Sequence, residues 1–232
     1  MSVGTEVGSV YRDAWRIYRA HPAALLVPGG VLFLFFGVPS ALLHEVHSNQ
    51  GLAAVLLFLA VQTLGFSSSY LYYGYCEEVA DQSRTGEVSI GRALEDTRHV
   101  LLKLIAVSVI VEFLVAFGLL LLIVPGVLLA ARWAVVAPTA SFERVWPRHA
   151  MRRSRELTRG HFRVVLLTAI AMLVVEQIAS SVGDSLGAEL FTDDTIGRVI
   201  GDVAGDLLVG PFAGLVTAML YFRLSEQREG MA

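Results

Sequence analysis

Charged residues are scarce in this sequence of 232 residues. Lysine, arginine, aspartate and glutamate together make up 17% of the chain, whereas hydrophobic residues make up 55%. An ordinary soluble domain has about 25% charged and about 45–50% apolar residues, so this composition argues against a soluble globular domain. The net charge of −3 argues against a nucleic-acid-binding protein, and the hydrophobicity excludes a disordered chain.

Cysteine is nearly absent as well. Cys76 is the only one, so no disulfide within the chain and no paired-thiol metal site are expected. His44 and His47 are one residue too close together for the HExxH spacing of zinc proteases. The sequence contains no phosphate-binding loop, dinucleotide fingerprint or nucleophile–base set. We therefore expect no enzymatic activity, no cofactor and no metal.

Long apolar runs dominate what the sequence does contain. A helix that crosses the ~30 Å hydrocarbon core of a bilayer needs about 20 mostly apolar residues. One apolar run, Leu104–Leu122, continues to Pro125-Gly126, which favours a turn, and resumes as Val127–Ser141. We interpret it as a hairpin turn at Pro125 and Gly126, followed by a sixth, shorter membrane segment that is thin, tilted or partly re-entrant. The five clear runs are Ala23–Leu43, Leu52–Cys76, Leu104–Leu122, Val164–Gly183 and Leu207–Phe222.

Basic residues are sorted to one side of these six segments. Groups of three, four, seven and two of them flank the segments on one side, which accounts for 16 of the 18. The two opposite loops, His44–Gly51 and Asp184–Gly197, carry none. Because basic loops stay in the cytoplasm, this pattern predicts cytoplasmic termini and an even number of segments. The predicted fold is an all-α polytopic membrane protein with six transmembrane helices arranged as three hairpins. No cleaved signal peptide is expected, because the first run is too long for one.

Each predicted hairpin follows a short amphipathic segment, so the single membrane domain divides into three units, 4–80, 86–142 and 143–225. Helices with an apolar face and a cationic face lie at the bilayer surface. One interpretation is that these helices only anchor the hairpins. The other is that they bind anionic lipid head groups, with about 1 kcal/mol from each basic residue. The best candidates for head-group contact share one face of the third segment: Arg148, Arg152, Arg155 and Arg159.

Three ionisable residues fall well inside the predicted segments: Glu112, Arg132 and Glu176. At 1.5 Å per residue, they lie roughly 14, 15 and 20 Å from the cytoplasmic ends of their segments. We expect an ion pair between Glu112 and Arg132, with Glu176 as a second acceptor. Such a cluster is either a buried structural pair or a proton or ion relay in which a desolvated carboxyl titrates.

Small and aromatic residues have expected roles in packing. Gly201 with Gly205, and Gly210 with Gly214, have the GxxxG spacing that allows helices to approach closely. We also expect tyrosines and a phenylalanine at the cytoplasmic ends of the second and last segments to form an aromatic belt at the membrane surface. These are Tyr70, Tyr72, Tyr73, Tyr75, Tyr221 and Phe222.

The stretch from Leu119 to Phe162 carries a more specific pattern. It consists of Val124-Pro125-Gly126, Arg132, Pro138, Glu143, Ala150 and Arg153-Ser154-x-x-Leu157-Thr158-x-Gly160, with Pro211-Phe212 and Tyr221 in the last segment. This pattern resembles the membrane domain of the glycerophosphoryl diester phosphodiesterase family and of related bacterial multi-pass proteins. Some members of that family join this domain to a catalytic barrel, and this chain has no barrel sequence. The resemblance therefore implies a protein of the bacterial cytoplasmic membrane and does not imply phosphodiesterase activity.

Two functions are compatible with these features. The first is a non-enzymatic structural or regulatory membrane protein whose basic cytoplasmic helices contact anionic phospholipid head groups. The alternative is a small-molecule or ion transporter or channel that uses Glu112, Arg132 and Glu176. The expected partners are membrane phospholipids and either further copies of this chain or another membrane protein, and no nucleic acid.

Overall fold

The fold is described by a computed structural model for residues 3–32, 35, 52–121, 123–190 and 194–230. These ranges contain helices and no strand, which confirms the all-α class. In chain order the helices are α1 (Val3–Ala20), α2 (Pro22–Leu32), α3 (Leu52–Thr85), α4 (Ile90–Leu121), α5 (Ile123–Arg132), α6 (Val136–Phe142), α7 (Pro147–Thr158), α8 (Phe162–Leu190) and α9 (Asp194–Glu229).

Among the described residues, three helices are long and apolar enough to cross a membrane. They contain Ile90–Gly118 of α4, Phe162–Gly187 of α8 and Val203–Glu229 of α9. Large apolar side chains point outward from them, such as Phe113 on α4 and Leu173 on α8, which are 70% and 63% exposed. An exposed apolar surface of this kind is consistent with contact with lipid. Much of the predicted first segment, and the whole loop His44–Gly51, lie outside the described residues.

The segment predicted as a sixth crossing consists of two short helices. After ten residues α5 ends at Arg132, and a turn at 133–135 leads into α6, which has seven residues. Ten residues rise roughly 15 Å, which is about half of the hydrocarbon core. The stretch Val127–Ser141 is therefore not one continuous membrane-crossing helix, and the arrangement of six crossings in three hairpins remains a prediction.

The turn before this segment also differs from the prediction. α4 ends at Leu121 and α5 begins at Ile123, so Pro125 and Gly126 lie within the first turn of α5. A proline is tolerated there because the N–H that it lacks has no acceptor within the helix. Gly126 brings α5 close to α4, since a Cβ added to Gly118 would lie 3.2 Å from the Gly126 Cα. Gly126 therefore packs the returning helix, and both residues lie within α5.

The first amphipathic helix, α1, lies against α9. It buries the face formed by Val10, Ala14 and Ile17. Near the start of α1, Arg223 of α9 donates to the Glu6 carbonyl and the Ser9 hydroxyl, and the second half of α1 contacts Phe212. Phe212 and Arg223 are eleven residues apart, roughly 16 Å along a helix, and the order of these contacts shows that α1 and α9 run in opposite directions. The rings around Phe212, at centroid distances of 5.8, 6.1 and 6.3 Å, are Tyr11, Trp15 and Tyr18.

The other two amphipathic segments form different structures. Ile90–His99 is not a separate helix but the first part of α4, because no proline or glycine interrupts the chain between Gly91 and Gly118. The third segment is the separate helix α7, which begins with a proline at its first turn. α7 buries the small and apolar residues Ala150, Ser154 and Leu157 and exposes Arg148, Arg152 and Arg155.

Two tyrosines of α3 compensate for a proline within α2. Because Pro28 has no N–H, the carbonyl of Ala24 loses its donor within the helix. The Tyr75 hydroxyl donates to this carbonyl at 2.6 Å, and the Tyr72 hydroxyl donates to the Leu25 carbonyl at 2.6 Å. Both tyrosines are nearly inaccessible, with 1% and 2% exposure. The predicted aromatic belt is therefore wrong for Tyr72 and Tyr75, whose hydroxyls complete the hydrogen bonding of a broken helix.

Candidate functional site

The junction of α5, α6, α7 and α9 contains most of the specific sequence pattern. Glu143, directly after α6, accepts hydrogen bonds from Arg153 Nε of α7 at 2.9 Å and from the Tyr221 hydroxyl of α9 at 3.1 Å. One carboxylate thus ties three helices together. Arg153 is consequently engaged within the protein and is not a free cation at the surface.

A second contact of this junction fixes the end of α5 on α7. The carbonyl of Arg132 accepts hydrogen bonds from Ser154 Oγ at 3.0 Å and from Thr158 Oγ1 at 3.4 Å. Beyond α7 the chain reverses at Gly160, whose φ of 91° lies in the left-handed region that glycine adopts readily. This turn starts α8 at Phe162, so the end of α5, the end of α7 and the start of α8 meet in one place.

The three helix ends line a half-open cavity of about 500 Å³ that is rich in arginine. None of its three arginines forms an ion pair with a carboxylate of the described residues. The start of α8 adds main-chain N–H groups that have no acceptor within the helix, together with the positive end of the helix dipole. The arrangement is that of an anion-binding site. The lining residues are Leu128, Arg132, Arg155, Thr158, Arg159, Gly160 and Phe162.

The predicted stripe of four arginines divides into two pairs. Arg155 and Arg159 line the cavity. Arg148 and Arg152 are exposed away from it, and Arg152 lies 4.0 Å from Glu156, one turn further along α7. The stripe is therefore one helix face in sequence, but its members have different surroundings in the fold.

The three residues predicted to cluster inside the membrane are not assembled. Arg132 is exposed and faces the cavity, because its own main chain is fixed on α7. Glu112 has a buried carboxyl oxygen without a hydrogen-bond partner, and no described cation pairs with it. Glu176 of α8 lies within electrostatic range of Asp206 on α9 instead. The predicted ion pair treated Val127–Ser141 as one straight helix, whereas α5 ends at Arg132.

The predicted packing glycines lie against two different helices. The Gly201 backbone lies against Gly183 of α8, and a Cβ added to Gly205 would lie 3.3 Å from the Ala179 carbonyl oxygen. A Cβ added to Gly214 would instead lie 2.8 Å from Cys76 Cβ of α3. Gly210 is also buried. α9 therefore approaches α8 in its first half and α3 in its second half.

Sequence reasoning did not identify Glu77, which directly follows the predicted second segment. Glu77 is completely buried, and neither of its carboxyl oxygens has a hydrogen-bond partner among the described residues. Burial raises the pKa of this carboxyl well above its ordinary value, and the nearby Glu78 carboxyl raises it further. The available signal was the apolar pair Val79-Ala80, both fully buried, which keeps α3 inside the protein beyond Cys76.

Replacing Glu77 with glutamine is expected to weaken the pH dependence of stability. The raised pKa means that the folded chain holds this proton more tightly than the unfolded chain. Its stabilisation is therefore complete below the ordinary pKa of about 4.3 and is lost as the pH rises through the raised pKa. The thermal unfolding midpoint in detergent, measured from about pH 5 to about pH 9, should fall less in Glu77→Gln than in the wild type.

Glu87→Gln is the matched control for this experiment, because Glu87 is exposed in the connection between α3 and α4. This variant should keep the wild-type slope of midpoint against pH. An unchanged slope in Glu77→Gln would contradict a proton on Glu77 that is released on unfolding.

Comparison with known proteins adds no relative to this description. No protein-family model, no curated protein and no solved structure matches the chain. The likeness of Leu119–Phe162 to a known membrane domain therefore stays a prediction from the residues themselves.

Proposed function

We propose that the chain is a non-enzymatic protein of the bacterial cytoplasmic membrane with a structural or regulatory role. Its six membrane segments, one of them broken into α5 and α6, leave both termini in the cytoplasm. Its basic cytoplasmic helices bind the head groups of anionic phospholipids. The mutual contacts of the pattern residues Glu143, Arg153 and Tyr221 support kinship with the bacterial membrane proteins that the sequence resembles.

The observation that carries this proposal is the cavity lined by Arg132, Arg155 and Arg159. Two other arginines on this side are engaged by the protein itself: Arg84 lies 2.6 Å from Glu226, and Arg144 lies 3.2 Å from Asp96. The three cavity arginines lack such partners among the described carboxylates, so their charge is available to an anion outside the protein. In a membrane with a negative inner surface, that anion is a phospholipid head group.

The geometry gives no comparable support to a transport function. A relay through the bilayer needs ionisable groups that converge near its middle. Arg132 has turned towards α7, so Glu112 and Glu176 lose the cation that the transport hypothesis assigned to them.

The proposal is tested by the preference of the reconstituted protein for anionic over zwitterionic lipid. The chain has three tryptophans, whose fluorescence is quenched by lipids with brominated acyl chains. In mixed vesicles, phosphatidylglycerol should bind several-fold more tightly than phosphatidylcholine, because each basic residue near the surface contributes about 1 kcal/mol. Salt should weaken this preference, because it screens the attraction between surface charges.

Removing the arginine stripe supplies the comparison. A variant with Arg148, Arg152, Arg155 and Arg159 all changed to glutamine should lose most of the preference for phosphatidylglycerol. Equal affinity for the two lipids in the wild-type protein would overturn the proposed function.

A further inference from the structure

The cavity between α5, α7 and α8 has the features of a built site for one anion, beyond a general attraction to a charged surface. Its arginines come from three places in the chain: Arg132 ends α5, Arg155 lies on α7 and Arg159 lies in the turn that follows α7. Surface arginines that only attract an anionic membrane non-specifically do not need to line a common cavity. Here the main-chain contacts of Arg132 with Ser154 and Thr158 hold the three cations around one volume.

The charge of the cavity indicates which anion it accepts. Three guanidinium groups face it without a described carboxylate to balance them, and the start of α8 at Phe162 adds its positive dipole end. A phosphate monoester carries about −1.5 to −2 charges at neutral pH, with three strong acceptor oxygens. A phosphodiester carries a single charge, so it neutralises less of this site. Guanidinium groups also match phosphate oxygens with paired hydrogen bonds.

The walls of the cavity indicate what is attached to the phosphate. About 500 Å³ is far more than one phosphate group fills and is within the usual range of small-molecule sites. Leu128 lines the cavity and is 37% exposed, beside Val127, which is 39% exposed. The apolar wall is thus continuous with the outward apolar surface of α5. A ligand that is charged at one end and apolar at the other fits both parts.

We propose that this cavity binds the phosphate monoester head group of a phospholipid, as in phosphatidic acid, among Arg132, Arg155, Arg159 and the first turn of α8. The proposal rests on the proposed function, because it names the lipid class and the site within the basic helices. The acyl chains lie along Leu128 and the outer surface of α5, while the phosphate replaces the missing counter-charge of the arginines.

The test compares two anionic lipids by quenching of a single tryptophan. Trp133 directly follows Arg132, so a variant with Trp15→Phe and Trp146→Phe keeps one reporter close to the cavity. In phosphatidylcholine vesicles, brominated phosphatidic acid should bind this protein at least about fivefold more tightly than brominated phosphatidylglycerol, because its charge is larger. Glycerol phosphate is added to the same vesicles as a soluble monoester competitor.

Two double variants on α7 and its turn remove equal charge from different places. Arg155→Gln with Arg159→Gln empties the cavity of two cations, whereas Arg148→Gln with Arg152→Gln removes two cations that do not line it. The cavity pair should lower the affinity for phosphatidic acid by about tenfold or more, since charge-assisted hydrogen bonds are lost. The control pair should weaken the binding of both anionic lipids through the surface potential alone and leave phosphatidic acid the more tightly bound of the two. Arg132→Gln should also lower the affinity for phosphatidic acid, because it removes a cavity cation. It should not disturb the fold, because the main-chain carbonyl at position 132 still anchors α5 on α7.

Each outcome separates this inference from the proposed function. A preference for anionic lipids without selection of phosphatidic acid, with equal losses in both double variants, would overturn the cavity assignment and leave the proposed function standing. Equal binding of phosphatidylcholine and both anionic lipids would overturn the two together. If glycerol phosphate displaced the lipid at equal concentration, a soluble monoester would be the ligand, and the lipid assignment would be overturned.

Discussion

Gly183→Ala is expected to lower the thermal unfolding midpoint of the protein in detergent by roughly 6–12 °C, the shift that corresponds to a loss of about 3 kcal/mol in a chain of this size. Gly183 lies where α8 meets the Gly201 backbone of α9, and an added Cβ would lie 2.8 Å from the Gly201 carbonyl carbon. Backbone atoms cannot rotate away as a side chain can. The two helices must therefore separate along the most extensive helix contact of the described fold.

A graded series tests this explanation. Gly205→Ala should have a smaller effect, because its Cβ would lie 3.3 Å from the Ala179 carbonyl oxygen. Gly8→Ala should be neutral or slightly stabilising, because an added Cβ there meets nothing within 4 Å and alanine favours the helix. Equal midpoints for Gly183→Ala and Gly8→Ala would show that the close approach of α8 and α9 does not determine stability.

Gly29→Ala is expected to cost about 2–3 kcal/mol of folding free energy. Its Cβ would lie 2.6 Å from Cζ of the Tyr72 ring. Because the Tyr72 hydroxyl is bound to the Leu25 carbonyl and its ring stacks on Tyr75, the ring cannot move without breaking the contacts that compensate for Pro28. The loss is measured as a lower unfolding midpoint in the same detergent.

The adjacent glycine provides the control. A Cβ on Gly30 would lie 3.9 Å from the nearest atom, a methyl carbon of Leu207, which is an ordinary van der Waals contact. Gly30→Ala should therefore keep or slightly raise the midpoint, because alanine is the better helix former. If the two alanine variants were equally stable, the packing of Tyr72 against Gly29 would not be the reason for glycine at this position.

Some parts of the candidate site were predictable from local sequence. The helix α7 was predicted because its apolar and basic residues alternate with the helical period, and Ala150, Ser154 and Leu157 do form its buried face. This pattern also places Arg155 and Arg159 on the outer side of the helix. Their membership of one cavity was not predictable, because that depends on Gly160 and on the point at which α5 ends.

Arg132 shows why the rest required the tertiary structure. Its position in an apolar run predicted a membrane depth and Glu112 as its partner. In the fold, hydrogen bonds from Ser154 and Thr158 to its carbonyl hold the end of α5 against α7. These donors lie 22 and 26 residues further along the chain, a separation at which hydropathy and spacing contain no information about contact.

The sequence by itself determined the all-α class and the apolar helices, and it predicts the sorting of charge to one side, because each of these depends on composition and on periods of a few residues. The tertiary structure decided which tyrosines are buried, where α5 ends and which arginines share a cavity. The physical reason is that these features depend on contacts between helices that are far apart in the sequence. Hydrogen bonds from side chains to free backbone groups, and close approaches of two backbones, form only when the chain has folded. In the sequence, Arg155 and Arg159 belong to the sorted basic residues and Arg132 lies inside an apolar run, and only the meeting of α5, α7 and α8 brings the three arginines together in one site.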